Sequence, residues 1–185
     1  RIYSILPLWR LKTDKRFSIG RATGDDIPEI SDLLSRYAKK FLFSPLITEQ
    51  QLTGYMDSIA GLSPENFFIA REGGKIKAVT ALWDDHTYKS YQVLRLTPAI
   101  RLVSGLLRLL SGFMKVPRSI RLNEPLKQLS LALYAHDDCP SALDALFRHC
   151  SNISLGADYT MIMFYAPEND PMFSYVRRYP GVSVR

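Results

Sequence analysis

Titratable side chains crowd one short stretch, His136-Asp137-Asp138-Cys139-Pro140-Ser141. Cys139 stands where a helix should begin, and a helix N-terminus lowers a thiol pKa. The two aspartates before it oppose that shift, so an inert cysteine is expected. His86, His136 and His149 are the three histidines. They are scattered, without ligand spacing, and no metal site is expected.

The elements that position this stretch are legible around it. Leu129 to Ala135 is a short apolar run, bounded by Lys127-Gln128 and by His136-Asp137-Asp138. Pro140 sits where a first helical turn begins, with Asp138 or Cys139 as the cap. Ala142, Leu143, Leu146, Phe147 and Cys150 follow at helical spacing. Gly156 closes that helix, and Tyr159 to Tyr165 reads as a second buried strand. A strand-helix-strand unit this compact predicts two parallel neighbours with a right-handed crossover. Ligands in such sheets collect at the C-terminal strand ends, here His136 to Ser141 and Ala166 to Asp170.

The rest of the chain supplies further elements. Residues 2 to 12 look like a strand broken at Pro7, and Thr13 to Arg16 like a polar linker. Phe17 to Ala22 is a short strand. Thr23-Gly24-Asp25-Asp26 caps a helix that begins near Ile27-Pro28. Thr48-Glu49-Gln50-Gln51 opens a second helix, with Leu52, Tyr55, Met56 and Ile59 on one face. The runs 66–71 and 75–83 flank Glu72-Gly73-Gly74, a hairpin signal. From Pro98 a periodic run carries Arg101, Ser104, Gly105, Arg108, Ser111, Gly112 and Lys115 on one side. Ile100, Val103, Leu106, Leu107, Leu110, Phe113 and Met114 lie on the other. A basic loop with Arg118 and Arg121 follows.

The 185 residues fit one domain, or one domain and a fragment, and 46% apolar residues suffice for a core. The net charge of +6 favours anionic partners. Cys139 and Cys150 are the only cysteines. On one helix they lie roughly 16 Å apart, too far to pair, which suits a reducing, cytoplasmic compartment. No apolar run is long enough to cross a bilayer. No helix-turn-helix, zinc-finger or RNA-binding phrase points to nucleic acid. The helix from Pro98 is read as a covering helix, its apolar side buried in this chain or against a partner, in preference to one lying on a membrane surface.

The order of elements, with the phrases IGRATGDDIPEISDLL, FFIAREGGKIKAVTAL and DYTMIMFYAPENDPMFSYVRRYPGVSVR, resembles the GNAT superfamily of N-acyltransferases. The resemblance covers roughly residues 17 to 185. It implies an α/β (α+β) domain with a GNAT-like acyl-CoA N-acyltransferase fold, a mixed, largely antiparallel sheet flanked by helices, and a helical insertion at about 86–126. It also implies acetyl-CoA as cofactor, bound where the strand at 129–135 diverges from its parallel neighbour. The corresponding positions are Leu133, Tyr134 and Ala135 on the strand, Ser141 and Ala142 at the turn, and Asn169 in the later loop. By the same resemblance Tyr175 is the general acid toward the leaving thiolate, with Tyr179 as fallback. A phenol suits that task because its pKa lies not far above that of the thiol. Asp84, Asp85 and His86 are candidates for the base that takes a proton from the amine.

The turn departs from the family's Gly-rich diphosphate loop. It has no glycine, Arg or Lys, Pro140 lacks an N–H, and Asp137 and Asp138 stand where a diphosphate would lie. Two functions follow. One is acyl transfer to a small-molecule or peptide amine, with a degenerate cofactor loop. The other is an inactive GNAT-like domain with a structural or regulatory role beside an active partner, a second such domain or a homodimer mate. Residues 1–16 carry too many apolar side chains to leave in water; burying each is worth about 1.5–3 kcal/mol. They are expected to close another copy of the fold, or else to pair with this domain's own sheet.

Overall fold

The computed structural model describes residues 2–41, 45–96, 98–113, 119–120, 122–157, 159–166 and 170–184. The strands are β1 (Ile2–Ile5), β2 (Ser18–Arg21), β3 (Phe67–Glu72), β4 (Lys75–Trp83), β5 (Gln128–His136), β6 (Met161–Tyr165) and β7 (Gly181–Val184). The helices are α1 (Ile27–Ala38), α2 (Glu49–Ser58), α3 (Pro98–Leu110), α4 (Pro140–Gly156) and α5 (Met172–Val176). They group into two compact units. One comprises Lys12–Trp83 and Leu131–His149; the other comprises Arg1–Leu11, Asp84–Ser130 and Cys150–Arg185. β5 contributes to both.

In the first unit the strand order is β2-β3-β4-β5. β3 pairs antiparallel with β2 and with β4. Gly73 and Gly74 make the two-residue turn between β3 and β4, each at positive φ (58° and 81°), which glycine adopts without steric cost. The helices start where the polar residues stop competing with the backbone. Thr23 N–H donates to Asp26 Oδ2 (2.9 Å) ahead of α1. Gln51 N–H donates to Thr48 Oγ1 (3.2 Å), and Thr48 N–H returns to Gln51 Oε1 (3.0 Å), ahead of α2. The apolar stripe of α1, with Ile30 and Leu33 fully buried, packs with Leu52 and with Phe67, Ile69, Val79 and Ala81 of the hairpin. On α4, Ala142, Leu143 and Leu146 are buried, and His149 meets the Phe68 ring at 5.6 Å.

In the second unit the order is β5-β6-β1-β7. Thr160 N–H donates to the Lys127 carbonyl (2.7 Å), so β5 and β6 begin side by side and run the same way. β1 lies antiparallel between β6 and β7, with Ile2 opposite Tyr165 and opposite Val184. The apolar N-terminal segment is therefore used inside this chain's own sheet. The expectation that it closes another copy of the fold is corrected, because both of its hydrogen-bonding edges are taken by β6 and β7. The strand is also shorter than expected and ends at Ile5, before Pro7.

α3 forms where periodicity places it, but among the described residues part of its apolar surface is left exposed. Leu102 is 76% exposed, Leu109 72% and Phe113 90%, while Ser104, Leu107 and Leu110 are half-buried. Met114, Lys115, Arg118 and Arg121 lie outside the described residues.

β1 and β7 come together over a glycine. A Cβ on Gly181 would stand 2.3 Å from the Ser4 carbonyl oxygen and 2.6 Å from the Tyr3 ring. The Tyr3 hydroxyl meanwhile donates to the Tyr179 carbonyl (2.8 Å). Gly181→Ala should therefore lower the urea midpoint by an amount equivalent to about 1–3 kcal/mol, as overpacking does. Gly156→Ala, with nothing within 4 Å of its Cβ, is the matched control and should not.

Candidate functional site

The first unit carries the strand–turn–helix to which the cofactor positions were assigned. β5 is interrupted by Leu133, whose φ of 48° lies in the left-handed region. A non-glycine residue there is uncommon and takes its peptide groups out of the regular ladder. Leu133 and Tyr134 are half-buried, and Ala135 is fully buried in the α1 core. Tyr134 meets the Tyr37 ring edge-on at 5.9 Å. At the turn, Asp138 has φ 45°, so an aspartate supplies the backbone conformation that a glycine usually would. Ala142 is buried, and its N–H is bonded to the Cys139 carbonyl (3.0 Å). Ser141 Oγ lies 3.4 Å from Cys139 Sγ. Leu133, Tyr134, Ala135, Ser141 and Ala142 are thus brought onto one continuous strand–turn–helix. Asn169 lies outside the described residues.

The fold changes the electrostatics of this turn. Arg36 Nη1 donates to Asp137 Oδ1 (2.7 Å), and Lys77 Nζ donates to Asp137 Oδ2 (3.0 Å). Lys40 Nζ donates to Asp138 Oδ1 (2.5 Å). The Asp137 N–H also donates to the Lys77 carbonyl (2.9 Å), which joins the end of β5 to the start of β4. Arg36 Nε also donates to Asp32 Oδ2 (2.9 Å), so three carboxylates stand among three cations and the turn is balanced in charge rather than anionic. Arg36, and then Lys77, holds the Asp137 carboxyl below the usual carboxylate range. Lys40 does the same for Asp138. The three cations lie 60 to 101 residues from Asp137 and Asp138 in the chain, beyond what local spacing can reveal.

The second unit carries Asp84, Asp85 and His86, which form the entry to a single 3-10 turn. The three behave differently. His86 is exposed. Asp84 Oδ1 accepts from the His86 backbone N–H (3.1 Å), and its Oδ2 accepts from the Tyr159 hydroxyl (2.7 Å). Asp85 is buried at 2% exposure; Ser130 Oγ donates to its Oδ2 at a long 3.5 Å. Asp85 Oδ1 has no hydrogen-bond partner among the described residues. Burial, the hydrogen bond to Asp84 and the Asp84 charge push the Tyr159 phenol up to about 12. Tyr165 is raised too, by burial first and then by Tyr91 and Asp85. Sequence reading missed Tyr159 and Ser130; Tyr159 stands just before β6 and Ser130 within β5, with no motif around either.

Tyr175 sits half-buried on α5, with the Arg178 guanidinium carbon 4.7 Å from its ring centre. Tyr179, the fallback, is buried. Cys150 is buried and its thiol is pushed up to about 12, whereas Cys139 is half-buried rather than closed off. Among the described residues no group of three or more His, Cys, Asp or Glu could hold a metal ion. No helix among them is long and apolar enough to cross a membrane.

This arrangement is the GNAT-like acyltransferase fold: a mixed, largely antiparallel sheet flanked by helices, with one parallel pair joined through α4. Two solved structures of Saccharomyces cerevisiae N-myristoyltransferase with bound myristoyl-CoA are similar to the chain. One is 12% identical with a TM-score of 0.58 over 96% of this chain and 44% of that one. The other is 14% identical with a TM-score of 0.55 over 96% of this chain and 39% of that one. The chain thus spans less than half the length of either. A likeness over 96% of the chain is wider than residues 17–185, so it takes in part of the N-terminal segment as well. No protein-family model matches the sequence, and no curated protein does.

Two titrations check the geometry. Tyr159 should ionise well above the other tyrosines: the absorbance step near pH 12 should vanish in Tyr159→Phe. Because its folded pKa is raised, the stability linked to its proton is present below the unfolded value of about 10 and lost as pH rises toward the folded one. Asp137 works in the opposite sense. Its folded pKa is depressed, so its contribution is present above about pH 4 and is lost as pH falls through the lower folded value. Urea midpoints followed from neutral to acid pH should show a shallower loss for Asp137→Asn than for the parent chain.

Proposed function

We propose that the chain is an acyl-CoA N-acyltransferase domain of GNAT type, acting on an amine carried by a small molecule or a peptide. The observation that carries this reading is the likeness of nearly the whole chain to N-myristoyltransferase structures with bound myristoyl-CoA. The residues present fit an acyl-CoA better in the fold than in the sequence. Arg36, Lys40 and Lys77 match in number the carboxylates they engage, Asp32, Asp137 and Asp138, and would hold a diphosphate in exchange for Asp137 and Asp138. When bound, an acyl-CoA supplies an acyl group already activated as a thioester.

The chain's own residues then have defined tasks. The backbone at Leu133 and Tyr134, turned from the ladder, orients the acyl group and offers N–H donors to a polarised carbonyl. Asp85, a buried carboxylate with one oxygen unpaired among the described residues, is the base that takes a proton from the amine; Asp84 is already engaged by Tyr159. His86, exposed, is left to relay that proton to solvent. Tyr175 holds the proton that a departing thiolate requires. By the family resemblance Asn169 would contact the cofactor. The free cysteines Cys139 and Cys150 suit a reducing, cytoplasmic setting.

One observation favours a second reading, a domain of this fold without activity that supports an active partner. The three cations of the turn are already satisfied internally, and the Ala142 N–H is already bonded.

Calorimetric titration of the full chain with acetyl-CoA and with myristoyl-CoA separates the two. Binding of either is expected, tightened by about tenfold in Asp137→Asn, which releases Lys77 and leaves Arg36 with Asp32 alone. In the active domain Tyr175→Phe should lower turnover with an unchanged unfolding midpoint. If neither the parent chain nor the Asp137 variant takes up either thioester, the second reading replaces the first.

A further inference from the structure

Between His86 and Asn123 the chain carries seven Lys or Arg and no Asp or Glu. That exceeds the net charge of the whole molecule, +6. The same stretch holds α3, whose outward side is apolar. Leu102, Leu106, Leu109 and Phe113 recur at intervals of four, three and four, which sets them in one straight stripe. All four are more than half exposed. Arg101 and Arg108 are exposed beside that stripe, one heptad or about two helical turns apart. The opposite side of the helix, with Ser104, Leu107 and Leu110 half-buried, faces its own unit.

The excursion is pinned at its base. Gln92 bridges Pro125, and Val93 bridges Leu122. Leu126 N–H donates to the Tyr91 carbonyl (2.8 Å), and Asn123 N–H to the Val93 carbonyl (3.2 Å). The segments before and after α3 are therefore tied to each other while the helix between them presents its apolar stripe.

We propose that this face docks on an anionic lipid bilayer. A charge of one sign without a compensating carboxylate matches phosphate headgroups. The stripe of Leu and Phe with Arg at its edge suits the boundary between headgroups and acyl chains, where guanidinium groups stay wet while the side chains beside them enter the apolar layer. Thirteen helical residues rise about 20 Å, too short to span the hydrocarbon and long enough to lie in its plane. A second copy of the chain is the poorer occupant. Two such faces brought together would set Arg101 and Arg108 of one copy near those of the other with no carboxylate on the helix to offset them. The sequence reading preferred a helix covered by this chain or by a partner; the proposal takes up its alternative, a helix lying on a membrane surface. This inference does not use the acyltransferase reading and stands or falls apart from it.

Co-sedimentation of the full chain with vesicles is the test, using phosphatidylcholine alone and phosphatidylcholine with about one-third phosphatidylglycerol. Binding is expected on the anionic vesicles and not on the neutral ones, and it should weaken as salt rises from about 0.1 to about 1 M. Leu102→Ser with Leu109→Ser, and separately Arg101→Glu with Arg108→Glu, should each lower partitioning on the order of tenfold or more. The substituted positions are solvent-facing, so near-unchanged circular dichroism is expected alongside. Phe113→Trp should gain fluorescence that brominated lipid quenches on anionic vesicles. Absence of binding to anionic vesicles would overturn the proposal. So would equal binding to both vesicle types that ignores the Arg substitutions. So would a protein dimer in solution that the Leu102 and Leu109 substitutions dissociate, because the face would then belong to a second copy.

Discussion

The Asp137 carboxylate, held by Arg36 on one oxygen and Lys77 on the other, is the contact on which the candidate cofactor turn depends. Its backbone N–H reaches the Lys77 carbonyl, so the same residue joins strand to strand and charge to charge. Charge-assisted hydrogen bonds of this kind are stronger than neutral ones and hold a geometry that a flexible turn lacks. They also decide the sign of the field. Without Arg36, Lys40 and Lys77 the turn is anionic; with them its charge is balanced, each cation being engaged by Asp32, Asp137 or Asp138. An incoming diphosphate must compete with Asp137 and Asp138, and affinity is the difference between two sets of ion pairs.

The second unit arranges protons in the opposite sense. Cations lower Asp137, whereas burial and the Asp84 carboxylate raise Tyr159 to about 12. The Tyr159 hydroxyl, bonded to Asp84 at 2.7 Å, ties down the 3-10 turn that carries Asp85. That leaves Asp85 as the buried acidic group with an oxygen uncommitted among the described residues. Environments that push neighbouring groups to different tasks are how one fold separates an acid from a base.

The stretch carrying α3 follows a different logic. Its charges are of one sign, its apolar side chains face outward, and its flanks are bridged to one another. Such a segment contributes little to the core that α1, α2 and the hairpin build. A soluble domain rarely leaves a stripe of this length uncovered without a binding partner to gain by it.

Much of this architecture was legible in the residues alone. The hairpin turn at Gly73-Gly74, the capping residues Thr23, Asp26, Thr48 and Gln51, and the periodicities of α1, α3 and α4 are local. Each rests on side chains within a few positions of one another, so spacing suffices. The family resemblance followed from the order of these local elements. Pairing over long separations was not legible. Edge preference is not written in β1, whose alternation would suit either an own-sheet strand or a strand lent elsewhere; Tyr3 closing over Gly181 decided it. The turn at Asp137-Asp138 read as acidic because its neutralising cations come from α1, the turn after it and β4. Tyr159 was invisible as an Asp84 partner because 75 residues separate them. Local chemistry determined which elements form. Only the tertiary structure determined which charges meet, because a charge acts through space and the chain sets distance in space only once it has folded.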